Sequence, residues 1–326
     1  MEPKVSIVTP LYNSSACIQS TLDSVLGQTF ENWELLLVND GSTDDTAEKI
    51  QPYLADSRIS YTSQSNQGIA GARNAGIAAA TGDWVCLLDH DDRWLPQKLE
   101  KQLSFAAEHD LEIVGTDAVV IKGDERSLYS RNFPEEMVSA LSRSLDDRSV
   151  DVFAVLISGN FLCSSSVAIK RRLFDRLGLL DAQAAPADDY EMWLRCAAAQ
   201  TRIGYLDERL IEYYLHQDNY SRDTLMMMTK EIYALRKSRA LVNKRIQIEL
   251  LDQRVGSLRA RAARLALDTY HEIAGQHLGP ALPFFWRALC LAPAEVLRPR
   301  RFLAAARRAI WAGEKDGPGQ RPKGLG

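Results

Sequence analysis

The sequence predicts an α/β fold: a mostly parallel sheet flanked by helices, followed by a helical C-terminal extension. Short continuous apolar runs, among them Val5 to Thr9 and Trp33 to Val38, recur through the first third of the chain. Such runs suit strands buried on both faces of a sheet. Between them lie segments with helix-capping and helix-forming residues, the alternation of βαβ units. Two runs end at carboxylates, Asp40 and the Asp89-His90-Asp91-Asp92 cluster. In an open α/β sheet the carboxyl ends of the strands form the edge where ligands bind.

The elements come in order. Val5 to Pro10 reads as a strand stopped by Pro10, and Asn13 and Ser14 cap a helix from Ser15 to Gly27. Trp33 to Val38 is a second strand, Asn39 to Asp44 a turn and N-cap, and Asp45 to Leu54 a helix. Arg58 to Thr62 is a third strand, Gly68 to Ala80 an Ala-rich helix, and Asp83 to Leu88 a fourth strand. Pro96 to Glu108 reads as helix and Leu111 to Ile121 as strand. Residues 123–155 are polar with little periodicity, an insertion placed to cover the site. Ser166 to Ile169 is a strand, Lys170 to Leu177 and Tyr190 to Ala199 are short helices, and Ile203 to His216 holds one or two strands. From Leu225 the chain reads as helix until Gly279, and a second helical block runs from Leu282 to Trp311. The expected organisation is a catalytic unit over 1–222, divided at 121/122, an extension over 223–312 and a disordered tail over 313–326.

Charge is divided unevenly. Residues 1–224 carry 20 Lys and Arg against 35 Asp and Glu, whereas residues 225–326 carry 19 against 8. A basic tail faces something anionic, a lipid head group or a partner. Phe284, Phe285, Trp286, Phe302 and Trp311 interleave with Arg287, Arg298, Arg300, Arg301, Arg307 and Arg308. That mixture suits a membrane interface, and equally a helix pair packed on the catalytic unit or on another subunit. No readout element for nucleic acid accompanies the charge, so nucleic acid is not an expected partner. The five cysteines are scattered without close pairs, which argues against a disulfide framework or a zinc site. With no leader-like or membrane-spanning run, the expected location is cytoplasmic, with the inner membrane face open to the basic helices.

Asp89, Asp91 and Asp92 would repel one another in a bare core. A divalent cation offsets that repulsion, and carboxylate, water and phosphate oxygens are the ligands Mg²⁺ and Mn²⁺ prefer. Alone, such a cluster also reads as an acidic surface turn. Asp40 alone reads equally as a turn former, and Tyr12 as a core aromatic. Their joint placement at successive strand ends points instead to a nucleotide-diphosphate pocket with an aromatic face, a hydrogen-bonding carboxylate and a metal site. A phosphate-binding loop, a dinucleotide fingerprint and a serine-hydrolase elbow are all absent.

The segments VSIVTPLYN, LLLVNDGSTDDT, NQGIAGARNAGIAAATGDWVCLLDHDDRWLP, GNFLCSSSVAIKRRLF and DDYEMWLR resemble glycosyltransferase family 2 in order and spacing, over roughly residues 4–222. The resemblance implies the GT-A fold, a Rossmann-like sheet, and inverting transfer from a nucleotide-sugar donor to a saccharide or lipid-linked hydroxyl. It implies that Thr9, Pro10 and Tyr12 line the base pocket, that Asp40 accepts from the base, and that Arg73 lies near the phosphates. Asp89 and Asp91 become the Asp-x-Asp pair holding ribose and Mg²⁺ or Mn²⁺, with His216 a further ligand or a structural histidine. His90 stands at the pocket wall, and Asp92 acts behind the metal or as a helix N-cap. Asp189 becomes the base that deprotonates the acceptor. As a base it needs a pKa raised by burial, against the lowering effect of a helix N-terminus. Asp188, Asn160 and Trp193 are placed on the acceptor side. The chain departs from the family at Asp188, where Glu is usual, and at Tyr214, where many members have Arg. Those departures leave open a non-catalytic nucleotide-sugar-binding scaffold, and the sheet shared with sugar nucleotidyltransferases leaves that class as a further alternative. The family's setting implies cell-envelope polysaccharide synthesis.

Overall fold

The structure is a computed structural model that describes residues 3–147, 150–216, 219, 222–274 and 278–292. Val5–Leu11 (β1) and Trp33–Asn39 (β2) pair in parallel from Val5 opposite Trp33 to Leu11 opposite Asn39. Ile18–Leu26 (α1) connects them, and Thr46–Ile50 (α2) with a 3-10 turn leads to Ile59–Ser63 (β3). Gly68–Ala79 (α3) then crosses to Trp84–Leu87 (β4), which lies on the other side of β1. Side chains of β1 alternate between two cores, Val8 with Leu36 and Ile77, and Ile7 with Leu22 and Leu35. That alternation explains why the strand reads as continuously apolar. α3 lies close over β1 because Gly76 leaves room: a Cβ there would sit 2.3 Å from Val8 Cγ1.

The second half is mixed rather than parallel. Arg93–Trp94 (β5), Lys98–Glu108 (α4), Ile113–Lys122 (β6) and Glu125–Leu128 (β7) come next in order. Then come Glu135–Arg143 (α5), Val152–Ile157 (α6), Ala168–Lys170 (β8), Arg172–Leu177 (α7), Asp188–Ala198 (α8) and Ile203–Tyr214 (β9). The sheet order is β3-β2-β1-β4-β8-β6-β9-β5, with β7 paired to β6. β8 runs antiparallel to both neighbours, whereas β6 and β9 are parallel. Ile203 to Tyr214 is one strand, and a register shift at Asp117 absorbs the irregularity that reads in the sequence as one strand or two.

Residues 123–155 differ from the expected polar cover. They form β7, α5 and α6, and Met137, Leu141, Phe153 and Leu156 are buried in the core around α8. Met137 and Leu141 are spaced singly among polar residues, and Phe153 and Leu156 belong to an apolar run only six residues long, so no long periodic run marks them. The helical extension is present as Thr224–Ser238 (α9), Arg245–Ala274 (α10) and Leu278–Leu291 (α11). Ile232 and Leu235 of α9 and Leu251 and Leu258 of α10 join the α8 core. No described helix is long and apolar enough to cross a membrane. The expected tail over 313–326 and the aromatic and arginine residues beyond 292 lie outside the described residues.

Candidate active site

The ends of β1, β2 and β4 form one edge. Tyr12 comes directly after β1 at 46% exposure. Thr9 and Pro10, expected beside it in the base pocket, are enclosed. Side chains of a strand covered on both faces point into those faces, so only residues past the strand's last position reach its edge. Asn13 adopts φ 50°, and its Oδ1 accepts from the Thr43 N–H at 2.9 Å, tying the loops after β1 and β2 together. Asp40, at the end of β2, is buried. Its Oδ1 accepts from Gln64 Nε2 at 2.7 Å and the Gln67 N–H at 2.8 Å.

After β4 the acidic residues separate into three environments. Asp89 accepts from Arg73 Nη2 at 2.6 Å, and the other arm of the guanidinium, Nη1, donates to Asp188 Oδ2 at 3.0 Å. Arg73 therefore bridges the edge of the sheet to the first turn of α8. Burial would weaken its charge, but Asp89 and Asp188 raise its pKa. The resemblance puts Arg73 at the phosphates and Asp188 on the acceptor side, yet both are fully enclosed around this bridge. Two carboxylates converging in a low-dielectric interior need a cation, and a two-armed guanidinium fits them. Asp188, one methylene shorter than Glu, still reaches it.

Asp92 is buried, accepting from the Ser165 hydroxyl and from the Tyr214 N–H at 3.1 Å. Burial first, then Asp91 and Asp89, push its pKa well above the usual carboxylate range. It joins the acidic turn to β9, and because β5 comes next in the chain, it caps no helix. His90 is half-buried, with its carbonyl accepting from Thr21 Oγ1 at 2.7 Å. Asp91 points the other way: its Oδ2 lies 2.7 Å from His216 Nε2 and 3.0 Å from Asn219 Nδ2. Sequence reasoning singles out neither Asn219 nor Ser165. Ser165 lies within GNFLCSSSV, whose serine run is the available signal.

Asp189 occupies the first turn of α8, 7% exposed. Its Oδ1 accepts from the Tyr190 N–H and, at 3.4 Å, from Asn160 Nδ2. Burial, with Asp188 adding, pushes its pKa up to about 7 against the lowering pull of Arg73 and the Tyr190 N–H. Asn160 is thus in contact with the Asp189 carboxylate. Trp193 is not at a cleft: it is fully buried in the core around α8, its Nε1 without a hydrogen-bond partner among the described residues.

Among the described residues no three His, Cys, Asp or Glu side chains are close enough to hold an ion by themselves. Asp91 and His216 supply one carboxylate oxygen and one imidazole nitrogen side by side. A Mg²⁺-type ion keeps several waters and takes substrate phosphate oxygens, so that pair fits it. Asp89 meets Arg73 through Oδ1, which leaves its second carboxylate oxygen for a ligand.

A parallel half-sheet ending in carboxylates, joined to a mixed half that presents a buried aspartate, is the GT-A architecture of nucleotide-sugar enzymes. The chain belongs to glycosyltransferase family 2: residues 6–178 match the family described as Glycosyl transferase family 2. It is 32% identical over 235 residues to the uncharacterized glycosyltransferase RT0329 of Rickettsia typhi, covering 72% of this chain and 70% of that one. It is 34% identical over 160 residues to the Escherichia coli UDP-Glc:alpha-D-GlcNAc-diphosphoundecaprenol beta-1,3-glucosyltransferase WfgD, covering 46% and 63%. The chain spans as little as 19% of a further relative, from Rickettsia bellii. The mannosyltransferase PcManGT of Pyrobaculum calidifontis, solved with GDP-Man and Mn²⁺, shares the fold at a TM-score of 0.61 and 18% identity, over 97% of this chain and 87% of that one.

Proposed function

We propose that the chain is an inverting, metal-assisted glycosyltransferase that moves a sugar from a nucleotide-diphosphate donor to a hydroxyl of a saccharide or lipid-linked acceptor in cell-envelope polysaccharide synthesis. The observation that carries this reading is Asp189, a buried carboxyl raised to about 7 on the helix that Arg73 ties to the acidic edge. A base for a sugar hydroxyl works best with a pKa near neutrality. WfgD, named for a UDP-glucose donor and a diphosphoundecaprenol-linked acceptor, supports the substrate class.

Tyr12 offers its face to the nucleobase, and Asp40 accepts from the base or ribose. Asp89, fixed by Arg73, takes the ribose. Asp91 and His216 hold Mg²⁺ or Mn²⁺, which when bound neutralises the charge developing on the leaving diphosphate. Asn160 orients the Asp189 carboxylate, which takes the acceptor proton as the oxygen attacks the anomeric carbon opposite the nucleotide. Trp286, 59% exposed on α11, belongs to the surface through which a peripheral membrane contact would form.

Asp189→Asn tests the assignment. The variant should bind nucleoside diphosphate as the parent does and lose transfer by about a hundredfold or more, the scale of general-base catalysis. Turnover near that of the parent would remove Asp189 from the reaction.

A further inference from the structure

A cavity of about 360 Å³ opens beside the Asp91–His216 pair, and Cys17, Ser20, Arg93 and Tyr214 also line it. Asp189, Asn160, Asp40 and Tyr12 do not. It therefore adjoins the proposed metal-holding pair and is not lined by the proposed base.

Arg93 is the one fixed cation among the described lining residues. Its guanidinium carbon stands 4.7 Å from the Tyr214 ring centroid, and its buried Nε has no hydrogen-bond partner among the described residues. Glu212 faces Arg93 in register across β5 and β9, but its carboxylate takes the Tyr214 hydroxyl instead, at 2.9 Å. The guanidinium is thus held on an aromatic platform, its neighbouring carboxylate otherwise engaged. An anion drawn into a cavity walled by Asp91 needs a fixed positive charge to offset repulsion. An arginine stacked on a ring is weakly hydrated and matches phosphate oxygens with paired donors.

We propose that Arg93 holds the diphosphate of the donor. The cation comes from β5 at the place where the family resemblance leads to an arginine on β9 and this chain has Tyr214. Tyr214 supplies the platform rather than the charge. This rests on the nucleotide-sugar reading, and the test separates the two.

Binding of UDP, GDP, TDP and CDP is measured by calorimetry against the matching monophosphates, in Mn²⁺ and again in EDTA, for the parent and for Arg93→Gln and Arg93→Lys. The parent should prefer the diphosphate of one base by about tenfold or more, as a charge-assisted contact implies. Arg93→Gln should lose most of that preference in EDTA as well as in Mn²⁺, with monophosphate affinity little changed. Arg93→Lys, which keeps the charge, should retain an intermediate preference and serves in place of the Gln variant if that variant does not fold. An unchanged preference in both variants overturns the role of Arg93 and leaves the nucleotide-sugar reading standing. Failure of the parent to bind any of the nucleotides overturns both.

Discussion

Asp189 sits between opposing influences: burial and Asp188 favour its neutral form, while Arg73 and the Tyr190 N–H favour the carboxylate. Burial wins, and the folded group titrates near 7 rather than at the ordinary 3.8. Between those values the folded protein keeps a proton that the unfolded chain has released. The stability this confers is full below about pH 4 and is lost as pH rises through 7. Activity should run the other way, with kcat/KM climbing along a limb near pH 7. A flat profile across that range would contradict Asp189 as the base. Arg73 carries a different burden. Arg73→Met leaves the fully buried Asp188 without its cation and should destabilise the fold by about 3–5 kcal/mol in urea denaturation; a loss below about 1 kcal/mol would mean that the bridge is relieved by rearrangement. The carboxylates themselves are legible in the sequence because they end apolar runs. The Arg73 bridge is not, because it joins α3 to a helix more than a hundred positions away, and no local pattern encodes that pairing.

α4 opens on an anomaly that its sequence conceals. Lys98, in the first turn of the helix, is fully buried, its Nζ 3.8 Å from the Trp94 ring centroid and without a hydrogen-bond partner among the described residues. Burial pulls its pKa down to about 8, with Cys86 opposing. Between about 8 and the ordinary 10.5 the unfolded chain binds the proton that the folded one lacks, so stability should rise with pH across that window. Lys98→Met should remove that rise and stabilise the protein at neutral pH by about 1–3 kcal/mol, the cost of an unsatisfied buried polar group. Thermal melts of the two proteins at pH 7 and 9.5 read both effects, and a destabilised Lys98→Met would show that the ammonium has a partner role. Strands β1, β2 and β4 are legible because burial on both faces leaves an unbroken apolar run. α5 is not, because it buries only a narrow stripe, Met137 and Leu141, and α6 is not, because an apolar run of six residues cannot be told from a strand by its period.

Across the whole molecule, the parallel half presents the carboxylate edge and the mixed half presents Asp189 and His216, with Arg73 and Asp92 as the ties between them. The extension packs onto α8 through α9, with α10 lying against α9 and α6, so the helix that carries Asp189 is supported from behind by the segment that departs most from the acidic balance of the front. The division into a carboxylate-bearing front and a helical back is legible in composition and charge. The mixed strand order is not, because β8, three residues long, is too short to declare its direction. The proposed nucleotide site is completed by a metal at Asp91 and His216. Calorimetry of the full chain with UDP, GDP, TDP and CDP in Mn²⁺, then in EDTA, with Asp91→Ala alongside, tests it most directly. One nucleotide should bind well in Mn²⁺ and about tenfold or more weaker in EDTA, and Asp91→Ala should remove the difference. Equal affinity with and without the metal, or an Asp91→Ala variant as metal-responsive as the parent, would contradict it.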